Sequence, residues 1–325
     1  MPDQNIPFLV ASFFCVIWSF MSFSITILGS SGALPAYGRF TSAQLLEIQN
    51  RYFLVDCGEG AQMQLMRFQT NFHRINHIFI SHLHGDHYLG LMGLIFTMHL
   101  LRRTNDLHLY GHPGLDEIIT TQLRYSRSVP GFKIIFHRLE KQAQKIIYED
   151  DALTVETIPL VHKIPCTGFL FREKIKPRRV NKEKLPGGLL LKQIANLKKG
   201  QDVIDEEGNI LHRNEDLTFP PRKSRSYAYC SDTAYSEKLI EQIKHIDVLY
   251  HEATFTVDEA QKAIETQHST ATQAAQIALK AEVSKLLIGH FSARYKDLMP
   301  VLEEARAVFD RCELALEGEV FRIAD

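Results

Sequence analysis

Cysteine is sparse in this 325-residue chain: there are five, at positions 15, 57, 166, 230 and 312, and no two form a CxxC pair. That excludes a disulfide framework and a thiolate zinc site, and points to reduced thiols in a cytoplasmic setting. Net charge is also lacking. Lys and Arg number 37 against 38 Asp and Glu, a sum of −1, so the whole chain is no electrostatic trap for a polyanion, and such a partner would need a local basic patch. No internal repeat is present. A convincing membrane span is missing as well: PFLVASFFCVIWSFM, Pro7 to Met21, is too short, no Lys or Arg precedes it, and no small-residue cleavage site follows. Met21 is therefore expected to be the natural start, with residues 1–20 an apolar extension outside the fold and no stable membrane association. With 45% apolar and 23% charged residues, the remainder reads as globular.

Strands punctuated by Gly, Ser, Pro and Asn come first, at 23–29, 43–48 and 52–58. Apolar residues then recur at helical spacing in EGAQMQLMRFQ, HYLGLMGLIFTMHLLRR and GLDEIITTQLRY. HIFIS, LHLYG, FKIIFHRL, KIIYED, LTVETIPLVH and TGFLFRE read as strands. The alternation resumes after residue 225, with strands in SYAYCSD, DVLYHE, KLLIGH and CELALE. Helices are predicted in SEKLIEQIKHI, TATQAAQIALKAE and one last segment. The class is α/β with antiparallel hairpins mixed in. Residues 172–222 interrupt the pattern. Between Arg172 and Gly200 there are ten Lys and Arg against two acids, a local charge of +8, and an acidic stretch follows at once.

The segment HIFISHLHGDHYLGL puts His82, His84, Asp86 and His87 directly after a buried strand. Imidazole and carboxylate are donors that Zn²⁺ and similar divalent ions prefer. His82 and His84, two apart, can point one way, while Asp86 and His87 open a helix and point elsewhere. Two pairs in two directions suit two metals. A polar turn capping a helix would not need all four. His162, Asp232 and His290 each stand where an apolar strand empties into a loop, the usual place for sites in layered α/β folds. Any one of them alone would read as a turn or cap residue.

HxHxDH with later His, Asp and His resembles the metallo-β-lactamase superfamily, an αββα sandwich. Over residues 21–323 the chain resembles ribonuclease Z more narrowly, through GSSGALPAYGR, LVDCGEGAQMQL, FISHLHGDHYLGL, VHKIPCTGF, CSDT, YHEATF, HSTATQAA and GHFSARY. The resemblance implies one catalytic domain over 21–325 that holds two Zn²⁺ per subunit, with Mn²⁺ or other divalent ions also suited. His82, His84 and His162 would hold one ion, Asp86, His87 and His290 the other, and Asp232 would bridge. Asp86 would also take the proton of the attacking water. His268, paired with Glu252, would protonate the leaving oxygen. Asp56 is expected to orient ligands, Ser292 and Arg294 to lie near a substrate phosphate, and His251 to be structural.

The implied reaction removes the 3′ trailer from precursor tRNA, leaving a 3′-hydroxyl and a 5′-phosphate. The implied partners are precursor tRNA and a second copy of the chain, in a cytoplasmic homodimer. There the 172–222 insertion would be a protruding, flexible, basic tRNA-binding arm that serves the partner's site, with Pro186-Gly187-Gly188 the candidate for its tip. The alternative keeps the dimetal chemistry and acts on small phosphodiesters or sulfate esters, which have no use for such an arm. A non-catalytic RNA-binding module should have lost Asp86 or the Glu252–His268 pair. Neither is lost.

Overall fold

The computed structural model describes residues 22–140 and 144–325, so the apolar stretch up to Met21 lies outside the described residues. The first half of the chain supplies β1 (Phe23–Gly29), β2 (Ala43–Ile48), β3 (Arg51–Val55), β4 (Ile75–Phe79), β5 (Leu107–Gly111), β6 (Ile134–Arg138), β7 (Ile146–Glu149), β8 (Leu153–Pro159) and β9 (Thr167–Glu173). Short strands β10 (Arg179–Val180), β11 (Val203–Ile204), β12 (Ile210–His212) and β13 (Thr218–Phe219) belong to the insertion. The last part adds β14 (Ser226–Cys230), β15 (Val248–Glu252), β16 (Lys285–Gly289), β17 (Cys312–Leu314) and β18 (Val320–Arg322).

Two seven-stranded sheets result, ordered β18-β1-β2-β3-β4-β5-β6 and β17-β16-β15-β14-β9-β8-β7. Each is antiparallel in one half and parallel in the other. Three apolar layers show how they stack. Phe53, Phe79, Phe169, Phe171 and Tyr227 interleave between the sheets. Leu65, Leu94, Ile95 and Ile119 pack helices on the outer face of the first sheet, and Ala274, Ile277, Val301 and Leu302 do so on the second. Each large apolar side chain buried this way contributes about 1.5–3 kcal/mol. The αββα sandwich expected from the sequence is therefore the fold.

Strand direction places the site. β14, β15 and β16 are parallel, and β8, antiparallel to β9 as β9 is to β14, runs the same way. Their C-terminal ends open at one edge, where Glu252 ends β15 and the loops after β8, β14 and β16 carry His162, Asp232 and His290.

Some local expectations fail. SEKLIEQIKHI is not an α-helix but a 3-10 turn, Glu237–Leu239, followed by further turns. Leu239, Ile243 and Ile246 still face the core, but Ile240, Gln242 and Ile246 bond three residues back, to Glu237, Leu239 and Ile243. The long helix after HxHxDH is broken into Gly85–Tyr88 and Leu91–Leu100. Gly90 sits at the break, where an added Cβ would lie 2.1 Å from the Gly58 carbonyl oxygen. β18, which pairs with β1, was not foreseen.

The insertion leaves the second sheet between β9 and β14. Arg172 is still within β9, opposite Ser226. Inside the insertion, helix Leu191–Lys198, the β11–β12 hairpin and the β10–β13 pair gather on Leu197, Val203 and Leu217. Ion pairs tie its base down: Lys174 to Glu149 at 2.5 Å, Lys176 to Asp325 at 3.1 Å and Arg222 to Asp325 at 2.6 Å. Lys182, Lys184, Lys192, Lys198 and Lys199 are exposed and make no ion pair among the described residues. The free positive charge is thus concentrated away from the base.

Glu173 is the buried anchor. It accepts from Arg225 Nη2 at 2.7 Å and Nε at 2.9 Å, and from Gln49 Nε2 at 2.7 Å. Burial raises its pKa, but these donors and Lys176 outweigh burial and hold it at about 2, below the ordinary 4.5. A carboxylate depressed in the folded state contributes stability that is present above about 4.5 and lost as pH falls toward about 2. Glu173→Ala is expected to cost about 3 kcal/mol near neutral pH, because it removes the two-pronged carboxylate partner of the buried Arg225 and leaves Asp325 at 3.8 Å as the nearer acid. In urea unfolding at stepped pH, the gap to the parent should close over that acid range.

Candidate metal centre

His82 follows the end of β4, His84 precedes the short Gly85–Tyr88 helix, and Asp86 and His87 lie within that helix. His82 Nε2 stands 3.0 Å from His84 Nδ1, which is 3.2 Å from His162 Nε2. Asp232 Oδ2 completes this group, 3.5 Å from His82 Nε2 and 3.8 Å from His162 Nε2. The other oxygen, Oδ1, faces a second group: it lies 3.2 Å from His87 Nε2 and 3.1 Å from His290 Nε2. These two nitrogens are 3.3 Å apart, and Asp86 Oδ2 lies 3.5 and 3.4 Å from them. One carboxylate thus presents an oxygen to each set of donors.

These separations match the chemistry of a divalent site. Four ligands about 2.0–2.1 Å from an ion form a tetrahedron with edges near 3.4 Å. The far ring nitrogens fit as well. His82 Nδ1 is backed by Ser81 Oγ at 3.0 Å, and His87 Nδ1 by Asp56 Oδ2 at 2.7 Å. His290 Nδ1 meets Thr254 Oγ1 at 2.8 Å, and His162 Nδ1 donates to the Gln267 carbonyl at 3.1 Å. Such partners fix the tautomer that turns each Nε2 lone pair inward. Burial also holds His82, His84 and His162 below the ordinary imidazole range, so they are neutral donors. His87 is the exception. Burial opposes its charge, yet Asp232, Asp56 and Asp86 together push it up: the pocket demands a cation. The residues present fit a divalent metal.

Asp56 lies behind the second group of donors. Besides His87 it accepts from Ser81 N at 2.7 Å, Ser81 Oγ at 2.9 Å and, across the sandwich, Tyr229 OH at 2.7 Å. Asp56, Asp232 and His290 all have left-handed backbones, φ 57°, 54° and 58°. Conformations this rare outside glycine persist where the surroundings hold them. The loop after β1 closes in on the site, with Ala33 N donating to Asp86 Oδ2 at 2.7 Å. Gly32 faces His290, and a Cβ there would sit 2.7 Å from Cε1 of that ring. Gly32→Ala should displace His290 and weaken metal retention by about 10- to 100-fold, read by competition with a chromogenic chelator.

The cavity over these residues holds about 530 Å³ and is lined by Asp86, Asp232, His268, His290 and Ser292. His268 Nδ1 is 2.8 Å from Glu252 Oε1 and its Nε2 is 4.0 Å from Asp232 Oδ2. Glu252 is buried and also accepts from Thr233 N at 2.7 Å and from the Thr254 hydroxyl. Burial opposes charge on His268, but Glu252 and then Asp232 lift it to about 9, so its ring stays protonated at neutral pH. Arg294 is engaged elsewhere, paired with Glu259 and lying over the Phe255 ring. His251 is buried with Nδ1 on the Glu252 carbonyl at 2.8 Å, away from the donors. Ser81, Thr254, Tyr229 and the Gln267 carbonyl were missed in the sequence. Ser81 and Thr254 fall inside the motif blocks FISHLHGDHYLGL and YHEATF, whereas Tyr229 and Gln267 lie just outside CSDT and HSTATQAA.

Fold and site together define a metal-dependent hydrolase of the metallo-β-lactamase class. Among solved structures the chain resembles the metallo-β-lactamase fold protein YhfI of Bacillus subtilis, with TM-score 0.65, 19% identity, and 93% of this chain and 99% of that one covered. It also resembles the short form of human tRNase Z, with TM-score 0.68, 26% identity and coverage of 93% and 100%. A family model described as anti-Pycsar protein Apyc1 matches residues 23–176. Ribonuclease Z of Cytophaga hutchinsonii is 51% identical over 305 residues, 94% of this chain and 97% of that protein. The chain belongs to the ribonuclease Z family.

Proposed function

We propose that this protein is a zinc-dependent endoribonuclease that removes the 3′ trailer from precursor tRNA by in-line attack. The observation that carries this reading is the two-faced Asp232 carboxylate, one oxygen to each donor trio, with the His268–Glu252 pair beside it. His82, His84 and His162 would hold one Zn²⁺, Asp86, His87 and His290 a second, and Asp232 both. Two such ions supply a water acidified to near neutral pH and positive charge for the phosphate. Asp86 accepts the proton of the attacking water through a carboxylate fixed by the Ala33 amide. His268, kept charged by Glu252, donates to the departing 3′ oxygen, since an alkoxide leaves poorly without a proton. The products are a 3′-hydroxyl on the tRNA and a 5′-phosphate on the trailer.

The insertion supports the choice of substrate. Its unpaired lysines would grip tRNA phosphates, a sequence-independent and salt-sensitive interaction. In a cytoplasmic homodimer the arm of one subunit would act on substrate at the other. Because Val180 and Thr218 end an antiparallel pair, residues 181–217 can be replaced by an Asn-Gly turn that preserves the base. This variant should fall by about 100-fold or more in kcat/KM on precursor tRNA, as expected when several phosphates are no longer neutralised. It should hydrolyse bis(p-nitrophenyl) phosphate as the parent does. Equal losses on both substrates would assign the insertion to structure instead.

A further inference from the structure

A second cavity, of about 480 Å³, lies on the far side of the loops that border the metal centre. Gly32 to Leu34 and Ser292–Ala293 line the first cavity, while Tyr37 to Arg39 and Lys296 to Met299 line the second. Arg39 borders it. The residue is 7% exposed, yet it makes no ion pair among the described residues. Nη2 donates to the Tyr295 carbonyl at 2.7 Å, the Tyr37 ring centroid is 5.4 Å from Cζ, and Nε has no partner. Two further cations line the same cavity, Arg67 and Lys296, both exposed and both without an ion pair among the described residues. The two acids of the cavity form no ion pair with Arg39 among the described residues and accept from neutral donors instead. Glu317 accepts from Ser30 N, Ser30 Oγ and Phe40 N, each at 3.0 Å, and Asp297 accepts from Met299 N at 3.0 Å.

A guanidinium cannot shed its proton to escape burial, and burial holds that of Arg39 below its usual range despite the pull of Glu317, so an anion that reaches it is favoured. Planar donors of this kind suit phosphate oxygens. We propose that Arg39, with Arg67 and Lys296 at the rim, forms a phosphate-binding site separate from the metal centre, occupied by a backbone phosphate of the substrate RNA away from the scissile bond. This rests on the ribonuclease reading for the source of the phosphate, though not for the site itself.

The test compares the parent with Arg67→Ala/Lys296→Ala, two exposed positions whose truncation should spare folding. Arg39→Lys serves as a second variant that keeps the charge but not the fork. Two quantities are read: kcat/KM on precursor tRNA across a salt series, and the binding isotherm of inorganic phosphate to the metal-loaded protein. The double variant should show about a tenfold lower kcat/KM, and a log–log salt slope shallower by roughly 0.7 for each single-strand phosphate that is no longer neutralised. One of two phosphate sites should vanish from its isotherm, and Arg39→Lys should weaken the same site. Disappearance of that site with unchanged tRNA kinetics would keep the anion site but make free phosphate groups its occupant, overturning the RNA assignment. If the parent does not cut precursor tRNA while the variants still bind one phosphate fewer, the site stands and the ribonuclease reading falls. Identical isotherms and identical salt slopes in parent and double variant would overturn the proposal.

Discussion

Asp86→Ala is expected to leave a folded protein with turnover reduced at least about 10⁴-fold on RNA and on small phosphodiesters alike. The proposed function gives the carboxylate two tasks that no neighbour can assume. Its Oδ2 lies within 3.5 Å of the inward nitrogens of both His87 and His290, so truncation would remove a proposed ligand. The same group is the nearest candidate to take the proton from the attacking water, and the Ala33 amide at 2.7 Å fixes it in place. General-base catalysis alone accounts for about 10²–10⁴-fold, and a missing ligand adds to that. The check is kcat on both substrates together with the metal content of the purified variant. Activity above about one per cent of the parent, with full metal content, would remove Asp86 from the base role.

His268→Ala should separate substrates where Asp86→Ala does not. On precursor tRNA the leaving group is a ribose oxygen, and removing the proposed proton donor should lower kcat by about 10²–10⁴-fold. On bis(p-nitrophenyl) phosphate the leaving phenolate is stable without a proton, so the loss should stay within about tenfold. Glu252→Gln should show the same split more weakly, because Glu252 acts through His268 at 2.8 Å. A uniform loss on both substrates would make His268 a structural residue, since it also stacks on His290 at 5.3 Å.

Much of this arrangement could be read from the chain because strands dictate where loops open. β4, β8, β14 and β16 were visible as apolar runs, and the polar residue that ends each run lies at one edge of the sandwich. The partners behind them were not visible. Gln267 meets His162 through a backbone carbonyl 105 residues away, and Ala33 meets Asp86 through an amide; neither interaction depends on a side chain that sequence could advertise. Tyr229 looked like an ordinary strand residue until the two sheets stacked and its hydroxyl reached Asp56. The segment 236–246 shows the opposite failure. Its apolar residues have helical spacing, but tight turns present the same Leu239, Ile243 and Ile246 to the core without an α-helix. Within the insertion, composition conveyed charge but not the Leu197–Val203–Leu217 cluster that organises it.

The most direct test is to incubate the metal-loaded protein with a precursor tRNA bearing a 3′ trailer and map both new ends. The expected result is a single cut after the discriminator nucleotide, with a 3′-hydroxyl on the tRNA and a 5′-phosphate on the trailer, abolished by chelator and restored by Zn²⁺. No cut, or cuts scattered along the RNA, alongside brisk hydrolysis of small phosphodiesters, would contradict the tRNA assignment while leaving the metal chemistry in place.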